Sequence, residues 1–197
     1  MEGLMTPETH PIRIELDHDL EVARWRPFLN WFLAIPHLVV LYVLGMVMYV
    51  VWIVSFFAVL FTGGFPRGLF DVNVMYWRYQ WRAYSFVLGL RGGYPPFDFQ
   101  TNGHEPDVAV YEADHPAQLS RLLPFVKWFL AIPHLVVLAL LAVAAFFAWP
   151  IGALAVLVTG RWPESIHHLL VGLNRWTNRV VAYVYLLTDR YPPFSLD

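Results

Sequence analysis

Two long stretches of the chain contain no charged residue. Residues 31–61 have His37, Ser55 and tyrosines as their main polar groups, and residues 128–158 are equally apolar around His134. A bilayer core about 30 Å thick is crossed by roughly 20 helical residues. Each stretch is longer than that, so the pattern predicts two helices that cross a membrane.

A second helical segment follows each apolar stretch, at residues 69–90 and 166–187. The Gly and Pro residues of TGGFPRG and TGRWPES separate it from the helix before it. A segment of about 22 residues can span a bilayer at 1.5 Å per residue, which would give four transmembrane helices. The alternative is that these segments lie in the membrane interface, where Trp, Tyr and Arg are common. We favour four spans.

The segment PIRIELDHD, before the first apolar stretch, alternates apolar and charged residues. Ile12, Ile14 and Leu16 fall on one side and Arg13 and Glu15 on the other, which is the period of a β-strand. DVAVYEADH, in the central linker, is a weaker copy. Two spans per unit bring both segments to one side of the membrane, where they can pair. The predicted fold is an all-α integral membrane protein with short strand-like segments at the N-terminus and in the central linker.

The chain contains the same decapeptide twice. WFLAIPHLVV begins at Trp31 and again at Trp128, 97 residues later, and the same offset aligns YPPF at Tyr94 with YPPF at Tyr191. No gap is needed anywhere between the two copies. Residues 11–98 and 108–195 are therefore a tandem duplication, and we expect two parallel repeats about an axis along the membrane normal.

Composition narrows the class of protein further. The chain is 58% hydrophobic and 14% charged, against about 25% charged in soluble domains. A net charge of −2 argues against a nucleic-acid partner, and the absence of cysteine excludes disulfides and thiolate metal sites. Positive residues concentrate near the termini and the central linker, so we expect these on the cytoplasmic side.

The repeated motifs resemble those of a known family. FLAIPHLVV, a TGxxP loop before an Arg- and Trp-bearing helix, and LLTDRYPPFSL are similar to the bacterial membrane family catalogued as domain of unknown function 4389. The second copy matches more closely, because LGLRGGYPPF in the first copy departs from LLTDRYPPF. The resemblance implies a multi-pass helical protein of the bacterial inner membrane, with no assigned reaction, cofactor or site.

Two arginine pairs are the stronger candidates for chemistry. Arg78 with Arg82, and Arg175 with Arg179, are spaced by four residues, which places each pair on one helix face. Arginine inside a span turns toward the bundle interior or a polar cavity, and its forked donors suit phosphate. The pairs predict a convergent site for an anionic lipid or phosphate. The alternative, that flat helices let these arginines reach headgroups, has the greater weight.

His37 and His134 are weaker candidates, each following a proline near the start of an apolar stretch. Two neutral imidazoles brought together could ligate haem iron or another metal. We favour the alternative that each histidine lies at headgroup level and bonds a backbone carbonyl or a lipid, and we expect no cofactor.

An acid–acid–His pattern also occurs twice. It could hold a metal or transfer protons, but the solvent side of a strand explains the charges as well; its residues are Glu15, Asp17, His18, Glu112, Asp114 and His115.

The sequence lacks the patterns of common catalytic sites. TGGF is not a phosphate-binding loop, and no serine lies in a nucleophile elbow. We therefore predict a non-catalytic membrane module, either a subunit of a larger membrane complex or a lipid-interacting scaffold. Its partners would be membrane lipids, other membrane subunits or copies of itself. The alternatives are a small transporter or anion-handling protein that uses the arginine pairs, and a bis-histidine haem or metal-binding subunit.

Overall fold

The computed structural model describes residues 10–16, 20–100 and 107–197. In these ranges each half of the chain forms a strand, a short helix, a long helix and a third helix. In chain order the elements are β1 (Ile12–Leu16), α1 (Arg26–Leu33), α2 (Ile35–Thr62), α3 (Arg67–Val87), β2 (Ala109–Ala113), α4 (Leu123–Leu130), α5 (Ile132–Thr159) and α6 (Glu164–Val184).

Proline and glycine set the ends of the long helices. Prolines occupy the first turns of α1, α2, α4 and α5, where the missing N–H costs nothing. Gly63 ends α2 at φ 72°, and Gly160 ends α5 at φ 78°. Both φ values lie in the left-handed region that glycine adopts without strain. The two halves match in length as well, with 28 residues in α2 and in α5.

Both segments that alternate apolar and charged residues form strands, and the two strands pair with each other. β1 runs antiparallel to β2, and Ile14 lies opposite Tyr111, its counterpart in the duplication. β2 of the second repeat packs mainly on α3 of the first, and β1 of the first packs on α6 of the second. The repeats therefore exchange their strands.

The segments before α1 and α4 are exchanged in the same way. The Val22 amide donates to the Gly160 carbonyl at 3.0 Å, and the Leu119 amide donates to the Gly63 carbonyl at 2.8 Å. Each repeat thus begins beside the end of the other repeat's long helix. A helix of 28 residues is about 42 Å long, so this arrangement requires α2 and α5 to run in opposite directions. The expected axis along the membrane normal stays a prediction, since these bonds fix the helices relative to each other and not to a membrane.

The elements form three layers. Tyr79 of α3 packs on Leu41 of α2, whereas Trp81 of α3 donates its indole N–H to the Glu15 carbonyl of β1 at 3.0 Å. Two residues turn a helix by about 200°, so α2 and the strands lie on opposite sides of α3. In the second repeat, Trp176 and Val180 likewise pack on α5. The strands form one outer layer, α3 and α6 the middle, and α2 and α5 the other outer layer.

The sides of α2 and α5 that face away from α3 and α6 are exposed. On α2, Val39, Met46 and Ile53 are 58%, 51% and 49% exposed. We call these exposed sides the outer faces. Among the described residues, α2 and the stretch Leu123–Thr159 are long and apolar enough to cross a membrane, and only 22% of the apolar window of each is buried. A core helix of a soluble protein would be mostly buried.

The middle helices α3 and α6 do not meet that criterion of length and composition. Each is covered by a long helix on one side and by the strands on the other. The four spans expected from the sequence thus remain a prediction, and the strands packed on α3 and α6 argue against it.

Candidate functional site

Arg82, one arginine of the first repeat's pair, is engaged by carboxylates of the chain itself. Arg82 is 2% exposed and donates from Nη1 to Asp98 Oδ2 at 3.1 Å. Its Nε lies 3.8 Å from Asp107 Oδ2, and Arg91 holds the same Asp107 through a 2.6 Å bond from Nη1 to Oδ1. This guanidinium is therefore not open to an external anion.

Asp98 lies here because the chain turns back over α3 after YPPF. The pKa of Asp98 is lowered, first because the Gln100 amide donates to its carboxylate and then because Arg82 lies beside it. The sequence patterns did not identify Asp98, because it lies outside the helices that carry the arginine pairs. The signal was present as a difference between the copies, since DFQ follows YPPF in the first and SLD in the second.

Arg78 and Arg175 connect the repeats. Arg78 Nε donates to the Tyr111 carbonyl at 3.3 Å, and Arg175 Nε donates to the Ile14 carbonyl at 2.9 Å. Arg175 Nη1 also donates to the Leu196 carbonyl at 3.1 Å. The first role of these two arginines is to hold each helix to the strand of the other repeat.

Arg179 is different from its counterpart Arg82. Arg82 bonds Asp98 through Nη1, whereas no hydrogen bond or ion pair within the described ranges reaches the Arg179 guanidinium. The Nε of each of these two arginines is buried without a hydrogen bond. Burial lowers the pKa of Arg179 and the neighbouring Arg175 lowers it further, whereas Asp197 raises it. Arg175 and Arg179 line a cavity of about 430 Å³ beside β1.

The cavity beside β1 includes only one of the two arginine pairs. It is lined by Arg175 and Arg179 but not by Arg78 or Arg82, and Asp98 and Asp107 engage Arg82. A single site shared by all four arginines stays a prediction.

Each buried histidine is enclosed by the YPPF segment of its own repeat. His37 is fully buried, its Nδ1 lies 2.7 Å from the Tyr79 hydroxyl, and the Phe97 ring stacks on it at 4.1 Å. His134 is likewise stacked by Phe194 at 3.9 Å. The YPPF segments therefore cover the starts of α2 and α5, and both histidine rings are enclosed by side chains of the chain itself.

His134 does not fit a haem or metal ligand. The Trp176 indole donates its N–H to His134 Nδ1 at 3.0 Å, and an indole nitrogen is a donor only. The Nδ1 lone pair is therefore occupied, and the neutral ring has its proton on Nε2. A metal needs a free lone pair on one of these nitrogens, so the proposed pairing of His134 with His37 lacks one of its two ligands.

The acid–His pattern forms no ligand set within the described ranges. His115 Nε2 lies 2.9 Å from the Phe65 carbonyl oxygen, and Glu112 pairs with Arg13 at 2.7 Å. Asp17 and His18 lie outside the described residues. No cluster of three or more His, Asp or Glu side chains suited to a metal occurs in that part of the chain.

Comparison with known families agrees with the repeated motifs. A family model described as Domain of unknown function (DUF4389) matches residues 24–98 and again residues 122–195. The chain belongs to this family. No curated protein and no solved structure matches it. Both matched DUF4389 ranges begin after the strand segments, so the exchanged strands lie outside the family unit and the units expected from the sequence are longer than the matched ranges.

Proposed function

We propose that this protein is a non-catalytic membrane module that embeds in one leaflet, with α2 and α5 parallel to the membrane surface. The observation that supports this is the order of the layers. The uncharged outer faces of α2 and α5 form one side of the molecule, and the strands form the opposite side.

The charged side of the strands argues against a spanning arrangement. α3 lies alongside α2, and the strands pack on the middle of α3, near Arg78. If α2 crossed a bilayer, Arg13 and Glu15 would lie near its centre, although both are exposed. A charged residue there costs about 2.5–3.5 kcal/mol on insertion scales. Helices parallel to the surface leave these side chains in water.

Tryptophans near the starts of the long helices support a location at the membrane boundary. Helices that lie in the interface have their apolar side about 5–10 Å deep, at the boundary between headgroups and acyl chains. Trp31 and Trp128 are 56% and 61% exposed near the starts of the long helices, and tryptophan favours that boundary. The pseudo-two-fold axis between the repeats then lies along the membrane normal.

Within this proposal the module is a subunit of a membrane complex or a lipid-binding scaffold in the bacterial cell membrane. A non-catalytic role is supported by Arg78, Arg82 and Arg175, because each donates hydrogen bonds to groups of the chain itself. The strand side would face the cytoplasm, where anionic lipids attract the arginines that flank the long helices. The geometry favours neither the transporter nor the haem-subunit alternative.

Depth measurements on single cysteines distinguish the two orientations. The chain has no cysteine, so Val39→Cys, Met46→Cys and Ile53→Cys can each be spin-labelled singly in phosphatidylcholine–phosphatidylglycerol vesicles. Seven residues advance a helix by about 10 Å. We expect equal depths at all three positions, with Glu15→Cys as a control that remains in water. A depth that changes by about 10 Å from one position to the next would mean that α2 spans. Labels that all remain in water would overturn the proposal altogether.

A further inference from the structure

We infer that the cavity beside β1 is a binding site for one oxyanion group, a carboxylate or a phosphate, held by Arg175 and Arg179. Both arginines belong to the second repeat, and β1 of the first repeat lines the cavity beside them. No residue of α2 or α5 lines the cavity, so the inference goes beyond the proposed function, which concerns those two helices.

The duplication identifies what is missing around Arg179. Phe97 and Phe194 are equivalent residues that stack on equivalent histidines. The next residue is Asp98 in the first repeat and Ser195 in the second. Asp98 is the carboxylate that bonds Arg82, so the second repeat lacks the anion at the corresponding position.

The unpaired guanidinium is the reason to expect a ligand. A charge that is partly removed from water and has no partner is costly. The Arg179 Nε is buried and has no hydrogen-bond partner within the described ranges. Arg175 is held in place beside it by the carbonyls of Ile14 and Leu196 through Nε and Nη1. Its Nη2 makes no bond to the described residues, so both arginines can donate into the cavity.

The cavity sets limits on the ligand. Its volume of about 430 Å³ lies within the range of small-molecule sites, so the oxyanion can be part of a larger molecule. Glu15, Glu112, Asp114 and Asp197 also line the cavity. Arg13 pairs with Glu112 at 2.7 Å, whereas the Asp197 side chain is 88% exposed. These acids repel a polyanion, so the site suits a ligand with a single oxyanion group.

The test recreates the first repeat's arrangement in the second. Ser195→Asp places a carboxylate where Asp98 lies in the other copy, and Ser195→Asn is the uncharged control of similar shape. The probes are inorganic phosphate and acetate, each compared with chloride at equal ionic strength, on the full chain in non-ionic detergent. A ligand that binds the native state raises the melting temperature with its concentration, which also yields the Kd.

We expect phosphate or acetate to stabilise the wild type and Ser195→Asn equally. Ser195→Asp and Arg179→Leu should raise the Kd by about tenfold or more, the equivalent of one lost charged interaction. A second arm uses nanodiscs with and without phosphatidylglycerol, and stabilisation there alone identifies a lipid headgroup as the source. No response beyond that to chloride in either arm, or an unchanged response in Ser195→Asp, would overturn the inference.

Discussion

Arg175 in the second repeat donates its Nε–H to the carbonyl of Ile14 in the first repeat, at 2.9 Å. The equivalent bond from Arg78 to Tyr111 runs in the other direction. Ile14 and Tyr111 are themselves paired across the two strands. Two arginines and two strands thus join the repeats at the centre of the molecule.

Replacing Arg175 with Met should destabilise the fold. The change removes the hydrogen bonds from the charged guanidinium to the Ile14 and Leu196 carbonyls. A hydrogen bond from a charged group contributes about 1.5–3 kcal/mol. We expect a loss of about 2 kcal/mol or more in the free energy of unfolding, measured by chemical denaturation in detergent. Arg78→Met should have a similar effect, whereas Arg67→Met, at an exposed position, should have little. Equal losses in all three variants would contradict a special role for the central arginines.

Gly152→Ala should disturb the contact between α5 and Trp162. A Cβ at this glycine would overlap the Trp162 ring, whose indole N–H donates to the Gly89 carbonyl at 2.8 Å. Overpacking of this kind costs about 1–3 kcal/mol, which a lower melting temperature would report. Gly68→Ala is the control, because a Cβ there meets nothing within 4 Å. A Gly152→Ala variant as stable as Gly68→Ala would contradict this prediction, because the Trp162 ring would then move away from the added methyl group at little cost.

Asp98 should make stability depend on pH in the acid range. Its pKa is lowered in the folded chain from an ordinary value of 3.8, so the folded state favours the ionised form. The stabilisation is complete above 3.8 and is lost as the pH falls through the lower pKa of the folded state. Wild type should therefore exceed Asp98→Asn in unfolding free energy at pH 7, and the gap should close on acidification. If the difference in unfolding free energy between wild type and Asp98→Asn did not change on acidification, the lowered pKa of Asp98 would be contradicted.

Because side chains of the chain itself enclose the His37 and His134 rings, we predict that haem will not bind through them. Titration of the purified protein with haemin should give no Soret shift that depends on His134, because its Nδ1 accepts the Trp176 indole N–H. Trp176→Phe removes that donor and is expected to destabilise the fold by about 1 kcal/mol. A stoichiometric Soret shift in the wild type that His134→Ala abolishes would contradict the bonding seen around this ring.

The sequence predicts local structure and the duplication well because both depend on short-range patterns. Alternation at Ile12 and Ile14 indicates a strand, and the glycines after Thr62 and Thr159 indicate where the long helices end. Which repeat supplies each strand is not predictable, since periodicity identifies the apolar side of a strand but not its partner. The number of spans was uncertain for a related reason, because apolar length does not specify how a helix lies relative to the membrane.

The candidate site was predicted only in part. The spacing of Arg175 and Arg179 identifies the correct helix side, and these two residues do share a cavity. The role of Asp98 and Asp107 was missed because both lie outside the helices, where acids are ordinarily solvated. Comparing the two copies residue by residue would have pointed to Asp98 and Ser195 as the position where they differ.

The exchanged strands make each repeat depend on the other for the packing of its middle helix. One copy alone would lose most of the strand contacts on its middle helix, which the other repeat supplies, and could regain the same contacts in a symmetric dimer. Such a dimer must have two identical arginine sites. Joining the copies in one polypeptide removes that constraint, and each half can acquire its own residue after YPPF. Gene fusion thus allows one half to become purely architectural while the other remains free to acquire a ligand.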